Sequence, residues 1–401
     1  MTPSPFLRPL LAPGSVALVG ASSKPGSIGR IVMENLLDGE FKGALFAVNP
    51  NRRRVLGQRA YASLAAIGNA VDLALIAVPW SAVRAVIVEA ARGGTKTAVV
   101  FSAPPEKSSD AQRWTSEILA AARARGVRLV GPHSYGVIRT SVGLNATVGT
   151  GVARRGRLAL IAQSGAVCAA MLAFAATAGI GFSTVVALGG CIDVGFGELL
   201  DSAVGDPETD GILVYAETVG DARRFLSALR APARTKPVVG LKAGRSTEQV
   251  AADELAPDAV FDAAMRRTGA VRAKTYVQLF AAARILAMNR IARGDRLAIV
   301  TNGHGPGTLA ADVAVDRGIP LAKLSRACER ALADRLPSNV ACANPLNLRA
   351  EGTPRHFAAA LAAVLADTEV DAALALHVDR PLTAATDAAR AVAVVAHEST
   401  K

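Results

Sequence analysis

The sequence predicts an α/β protein of parallel sheets and crossover helices, and three observations carry that prediction. Short apolar runs alternate with helix-length amphipathic stretches along the 401 residues, as in consecutive βαβ units. Strand, glycine-rich loop and helix start afresh three times. At 51% apolar and 19% charged the chain is too apolar for a disordered one, and at roughly 150 residues per domain its length allows two or three cores.

The first unit opens with a buried strand, Ser15–Gly20, that runs into glycine. A loop and an amphipathic helix around Ile31–Leu37 follow, then strands at Ala44–Val48, Leu73–Val78, Thr97–Phe101 and Val127–Val130. These make one doubly wound, Rossmann-like domain over residues 1–146. The polar stretch Thr147–Gly156 reads as a linker. The second unit, residues 157–291, begins at Arg157–Ile161. Its later strands are Thr184–Leu188, Gly211–Tyr215 and Pro237–Leu241, and it closes on the helix Tyr276–Asn289. A third start, Asp295–Val300, leads into Asn302-Gly-His-Gly-Pro-Gly307, with a later strand candidate at Ala372–Leu376. A doubly wound domain begun there needs about one or two more strands. The third domain, residues 293–401, is therefore expected to be unfinished and Lys401 a truncation.

Several function classes lose support at this level. The charge-free stretches are too short to span a bilayer, and the N-terminus lacks the basic-then-apolar layout of a signal peptide, so a cytoplasmic protein with no membrane partner is expected. Cys168, Cys191, Cys328 and Cys342 show no CxxC spacing, which argues against a zinc site or a disulfide framework; Cys168 and Cys191 read as small buried hydrophobes. The net charge of +12 comes from scattered cations whose one triple is Arg52-Arg53-Arg54, without aromatic interleaving or a nucleic-acid module. No nucleic-acid partner is expected.

The loop Gly20-Ala-Ser-Ser-Lys-Pro-Gly26-Ser-Ile-Gly29 is the most informative segment. Gly20 permits a tight turn, Gly26 a close backbone approach, and Gly29 close seating of the helix. Free amides at the helix start, with Ser22, Ser23 and Lys24, suit a phosphate. The spacing is not GxGxxG, and the second strand ends in Val48-Asn49-Pro50-Asn51 and the arginine triple rather than in an acidic residue. Cations at that place suit a ribose that carries a phosphate, as in NADP or coenzyme A. An NADP-dependent reductase is a third-ranked reading, because no proton donor with a supporting lysine or tyrosine motif accompanies the loop.

The run Val19-Gly-Ala-Ser…Gly26…Gly29, with Val48-Asn-Pro50, Val71-Asp-Leu-Ala-Leu-Ile-Ala-Val-Pro79 and Gly131-Pro132, resembles the CoA-binding domain of NDP-forming acyl-CoA synthetases, the superfamily of the succinyl-CoA synthetase alpha subunit. The likeness continues through Ile161-Ala-Gln-Ser-Gly-Ala166, Ala187–Val194, Tyr215-Ala-Glu217, Lys236–Arg245, Thr301–Gly307 and Asn344-Pro-Leu-Asn-Leu348. It implies a Rossmann-like CoA-binding domain followed by two flavodoxin-like domains. It also implies a coenzyme A or acetyl-CoA cleft lined by Gly20, Ser22, Lys24, Gly26, Gly29, Pro50, Pro79 and Ser102, to which the basic turn adds Arg52.

The family passes phosphate between acyl phosphate, a histidine and nucleoside diphosphate, and a relay of that kind needs a nucleophilic imidazole facing phosphate at helix N-termini. The corresponding stretch here, from Thr247 through Asp253 and Glu254 to Pro257 and Phe261, is short and holds no histidine. Glu217, expected to orient that ring, and Ser164 at the Gln163-Ser164-Gly165 helix start are then vestiges, and no catalytic residue is assigned. His133 stands where the family commonly has asparagine, and His304 replaces a small residue in the third unit's loop; both read as loop substitutions. Ser164 does not fit the GxSxG elbow. The loss of the histidine, with the spacing of Pro257–Ala264, Arg293–Leu297 and Leu336…Asn344-Pro-Leu, resembles the synthetase-like N-terminal region of bacterial GNAT-type protein lysine acetyltransferases. That resemblance implies an acyl-CoA-binding regulatory region, not catalytic alone, whose partner is a GNAT domain in cis or trans. The alternative is the alpha subunit of an NDP-forming acetate or acyl-CoA ligase that works with a separate ATP-grasp subunit. Self-association into a homo-oligomer is compatible with both.

Overall fold

A computed structural model describes residues 7–105, 111–219, 222–230, 232–244, 257–288, 292, 294–379, 384–399 and 401. The stretch 245–256, which holds Arg245, Asp253, Glu254 and most of the segment corresponding to the family's relay histidine, lies outside the described residues, and so does Arg293. The chain divides into two compact units, Met1–Asn289 and Arg290–Lys401.

In the first unit a short helix α1 (Arg8–Leu11) precedes β1 (Ser15–Val19), α2 (Ile28–Asp38), β2 (Ala44–Val48), the hairpin β3 (Arg54–Val55) and β4 (Gln58–Tyr61), β5 (Leu73–Ile76), α3 (Trp80–Arg92), β6 (Thr97–Val100), α4 (Ala111–Arg123) and β7 (Arg128–Val130). The strands form one sheet in the order β3-β4-β2-β1-β5-β6-β7, parallel except for the β3–β4 pair. Val16, Leu18, Leu73, Leu75 and Val99 are fully buried, and burying such side chains stabilises by about 1.5–3 kcal/mol each. The chain reverses direction across the sheet between β1 and β5, so a crevice opens at the carboxyl ends of those two strands.

The second sheet is built from β8 (Gly136–Arg139), β9 (Leu144–Thr147), β10 (Arg154–Ala162), α5 (Gly165–Ala178), β11 (Gly181–Ala187), α6 (Phe196–Gly205), β12 (Gly211–Ala216), α7 (Ala222–Arg230), α8 (Pro232–Thr235), β13 (Val238–Lys242), α9 (Pro257–Thr268), β14 (Val271–Ala273) and α10 (Tyr276–Ala287). Its order is β14-β13-β12-β10-β11-β8-β9. The parallel part has the flavodoxin-like order, with its switch point between β10 and β12.

Two features depart from the sequence reading. The stretch read as a linker, Thr147–Gly156, already belongs to strands at both ends. The hairpin β8–β9 falls mostly before residue 146, yet β8 pairs antiparallel with β11 of the second sheet. Arg139 on β8 anchors it there by donating to Thr184 Oγ1 (2.8 Å), Asp206 Oδ2 (2.5 Å) and Glu208 Oε2 (2.6 Å). Burial pushes the Asp206 carboxyl up, but the hydrogen bonds from Arg139 and Thr209 outweigh it and hold that carboxyl below its usual range. One core then runs through both sheets: Leu18, Val99 and Val130 cluster with Val137, Ile161, Val186 and Val214.

The second unit holds β15 (Leu297–Thr301), α11 (His304–Asp316), α12 (Arg326–Ala333), β16 (Leu346–Asn347), α13 (Pro354–Ala366), β17 (Ala372–Leu376) and α14 (Ala385–Glu398). Its parallel sheet runs β16-β15-β17 among the described residues, over a core that includes Val300, Leu332, Phe357, Leu361 and Val364. Asn344 explains part of the Asn-Pro-Leu-Asn-Leu motif. Its carboxamide accepts from Ile299 N–H (2.9 Å) and donates to the Leu297 (2.8 Å) and Ala322 (2.9 Å) carbonyls, stitching β15 to the chain beyond α11. No helix among the described residues is long and apolar enough to cross a membrane.

Candidate functional site

The glycine loop after β1 is fixed by sterics. Gly20 has φ +91°, and a β-carbon there would lie 2.4 Å from the Ala77 carbonyl oxygen, while one on Gly29 would lie 1.9 Å from the Gly20 carbonyl oxygen. Neither position accepts another residue without moving backbone. Gly29 in the first turn of α2 therefore seats directly on the β1 exit. Gly26 differs: its φ is +74°, but nothing lies within 4 Å of where a β-carbon would be. That side of the loop is open, as a cradle for an approaching phosphate requires.

Short polar contacts hold the loop in shape. Ser27 caps α2 by accepting from Arg30 N–H (3.3 Å) and donates to the Lys24 carbonyl (2.8 Å). Ser22 Oγ accepts from Lys24 N–H (3.0 Å). Asn49, at the end of β2, donates to the Ala21 carbonyl (2.8 Å), and its Oδ1 accepts from Asn51 N–H (2.8 Å). Ser23 Oγ accepts from Leu56 N–H in the β3–β4 turn (3.4 Å).

Every residue expected to line the CoA cleft thus lies at the carboxyl edge of the first sheet. Gly20, Ser22, Lys24, Gly26 and Gly29 follow β1; Pro50 and Arg52 follow β2; Pro79 caps α3 after β5; Ser102 follows β6 and donates to the Val78 carbonyl. The three arginines do not act as one group. Arg54 begins β3 and donates to the Gly57 carbonyl (3.0 Å), while the Arg52 and Arg53 side chains are exposed and have no polar partner among the described residues.

A cleft of about 820 Å³ opens between the carboxyl edges of the two sheets of the first unit. Ile28, Phe101 and Pro104 line it from the first sheet; Ser164, Gly165, Gly189 and Glu217 line it from the second; Pro132–Tyr135 crosses between them. The exits of β10 and β12 therefore face the start of α2 and the chain beyond β6 across a common space, which local sequence does not reveal, while Gly20, Ser22, Lys24, Gly26, Gly29, Pro50, Arg52, Pro79 and Ser102 are not among the residues lining it. On the second side, α5 begins without a side-chain cap, because Ser164 makes no capping hydrogen bond. Its first-turn amides supply a partial positive charge suited to an anion. Gln163 latches the neighbouring strand exit: its Oε1 accepts from Glu217 N–H (2.6 Å) and Thr218 N–H (2.9 Å), and its Nε2 donates to Thr218 Oγ1 (3.1 Å). Glu217 is exposed, with Oε1 accepting weakly from Tyr215 O–H (3.5 Å). The sequence motif Gln163-Ser164-Gly165 pointed to this place, but not to the latch.

His133 also lines this cleft, held in a left-handed conformation (φ +55°). Asparagine and histidine both tolerate that region better than most residues. His304 opens α11 in the second unit and is not among the residues lining the cleft. Cysteine chemistry is not favoured here: burial pushes the Cys168 thiol up to about 12 and the half-buried Cys191 thiol up to about 11.

Comparison with known proteins fits this geometry. A family model described as a CoA binding domain matches residues 14–140, and one described as a succinyl-CoA ligase like flavodoxin domain matches residues 155–286. The ADP-forming acetate–CoA ligase I of Archaeoglobus fulgidus is 35% identical over 92% of this chain, which spans 54%, about half, of that relative's length. The alpha subunits of the ADP-forming acetate–CoA ligases I and II of Pyrococcus furiosus are 33% and 32% identical, with 82% and 81% of their lengths covered. Among solved structures, the apo form of the dinucleotide forming acetyl-coenzyme A synthetase 1 of Ca. Korarchaeum cryptofilum matches with a TM-score of 0.93 at 30% identity, over 98% of this chain and 87% of that one.

Proposed function

We propose, from the premise that the chain belongs to the NDP-forming acyl-CoA synthetase (succinyl-CoA ligase-like) family, that it is the coenzyme A-handling, alpha-type part of an acyl-CoA ligase and works with a separate ATP-grasp chain. The observation that carries this reading is the shared cleft. One wall begins at Ile28, the first residue of the helix that follows the glycine loop and its open Gly26 face, and the other presents the uncapped start of α5. The loop would hold the nucleotide phosphates of coenzyme A, and Pro50, Pro79 and Ser102 would border it. The cleft would take the thiol end together with an acyl group and a phosphate. Glu217 and Ser164 then face a working substrate space.

A second reading is a CoA-sensing region of a GNAT-type protein acetyltransferase. One observation favours it: no histidine lies between His133 and His304, so the phosphoryl relay lacks its usual carrier. It ranks second because the relatives just described carry the names of ligases and synthetases.

Calorimetric titration with coenzyme A, acetyl-CoA and NADPH tests the reading. Micromolar binding of coenzyme A and acetyl-CoA with no heat from NADPH is the expected result. A folded sample that binds none of the three overturns it.

A further inference from the structure

We propose that the groove between α7 and α9 is a docking site for an amphipathic helix of a partner protein, one whose apolar ridge is flanked by carboxylates. The groove shares no lining residue with the cleft described above, so the proposal does not rest on the coenzyme A reading.

Helices α7 and α9 follow the parallel strands β12 and β13, and so run side by side in the same direction. Buried aromatic rings hold them together on the side of the core, where Phe225 of α7 stacks on Phe261 of α9 with 5.6 Å between ring centroids. Outside that contact lies an open groove of about 300 Å³. Its floor is Leu226 from α7 with Val260, Ala263 and Ala264 from α9, and Arg223 and Arg267 complete the lining. On α9 these positions are three, four and seven residues apart, which is one face of a helix.

The charges around the groove are unbalanced. Asp258 pairs with Arg272, and Asp262 pairs with both Arg266 (2.5 Å) and Arg272 (3.3 Å), so the two carboxylates of α9 are already occupied. Helix α7 contains no acidic residue. Arg223 and Arg267 are exposed and have no polar partner among the described residues. Arg223 stands in the first turn of α7 and Arg267 in the last turn of α9. Because the helices run the same way, the two guanidinium groups mark opposite ends of the groove.

That arrangement sets the chemistry of the occupant. It must present aliphatic side chains to the floor and a carboxylate toward each end. Along α9 the distance from Val260 to Arg267 is about 10 Å, the separation of residues about seven apart on a helix. A helix with leucines at i, i+3 and i+4 and acidic side chains about seven residues apart meets both requirements. A second copy of this chain does not, since the net charge of +12 sets like charges against a cationic rim. A flat lipid surface does not reach a concave floor, and a single fatty acid leaves one arginine unpaired.

The test uses the purified full chain and two fluorescent helical peptides with the same leucine stripe. One carries glutamates about seven residues apart on the flanks of the stripe, and the other carries lysines in their place. Anisotropy titration should give a micromolar Kd for the glutamate peptide, rising with added salt, and binding at least about tenfold weaker for the lysine peptide. Ala263→Gln fills the groove without changing its charge, and Arg223→Glu with Arg267→Glu reverses the rim. Each should weaken the glutamate peptide at least about tenfold, with the circular dichroism spectrum unchanged and coenzyme A affinity within about twofold of wild type. A folded chain that ignores the glutamate peptide, or that binds both peptides equally, overturns the proposal. Folded variants with wild-type affinity overturn it as well. Displacement of the peptide by decanoate at micromolar concentration would assign the groove to a small amphiphile and overturn the helix. None of these outcomes bears on coenzyme A, whose own titration stands or fails separately.

Discussion

The exits of β1 and β10 occupy the same place in their sheets, just before the first crossover helix, and they solve it differently. After β1 the chain uses glycine: Gly20 and Gly29 touch so closely that no side chain fits, and eight residues separate the strand from a capped helix. After β10 only Gln163 and Ser164 intervene, and the shape is held by a carboxamide that reaches the end of β12. The second unit repeats that device, with Asn302 donating to the Val378 carbonyl (2.8 Å) and accepting from Val378 N–H (2.7 Å). A steric solution leaves amides and small polar groups open toward a ligand. A latch instead fixes the neighbouring strand exit, and with it the position of Glu217.

This difference can be broken first at Gly29. Gly29→Val drives a side chain into the Gly20 carbonyl and should cost about 3 kcal/mol or more of stability, as severe overpacking does, together with coenzyme A binding; the urea midpoint and a calorimetric titration read both. An unchanged midpoint with full affinity would refute steric locking.

Gln163→Leu strips the acceptor from two amides and should cost about 1–3 kcal/mol. Its signature is a split: a lowered urea midpoint, with coenzyme A affinity within about twofold of wild type. Parallel losses in both would show that the two exits are one structural unit.

Lys24→Glu puts a negative charge in the loop and should weaken coenzyme A at least about tenfold, or about 1.4 kcal/mol, without moving the melting temperature. Equal affinity in the folded variant would remove the loop from the site. The smallest effect is expected from Arg52→Ser with Arg53→Ser, since both side chains are exposed: at most about 1 kcal/mol in binding, fading with added salt. A salt-resistant loss above tenfold would instead place a ribose phosphate on these arginines.

The glycine loop was legible because most of its constraint is local: the Gly29 contact with Gly20, nine residues back, and the positive φ of Gly20 and Gly26 favour glycine, and the clash with Ala77 only adds to this at Gly20. Strands β1, β2, β5, β10, β12 and β15 were legible for a similar reason, as buried parallel strands are continuous apolar runs. The hairpin β3–β4 was not, because Arg54 and Gln58–Tyr61 form an exposed edge with no apolar run. The role of Gln163 was hidden as well, since its partners lie more than fifty residues away.

The sequence by itself determined the α/β class, most strand positions, the glycine-bearing loop after β1 and the lack of a histidine from residue 134 to residue 303. Tertiary structure alone decided that β8 and β9 join the second sheet, that one core runs through both sheets, and that the start of α2 and the switch point of the second sheet border a single cleft. It also placed His133 in that cleft, a position that read as a loop substitution in the linear sequence. The physical reason is range. Backbone sterics and hydrophobic periodicity act over a few residues and are written into composition and spacing. Strand pairing and the convergence of loops are set by contacts between distant residues, and these exist only once the chain has folded.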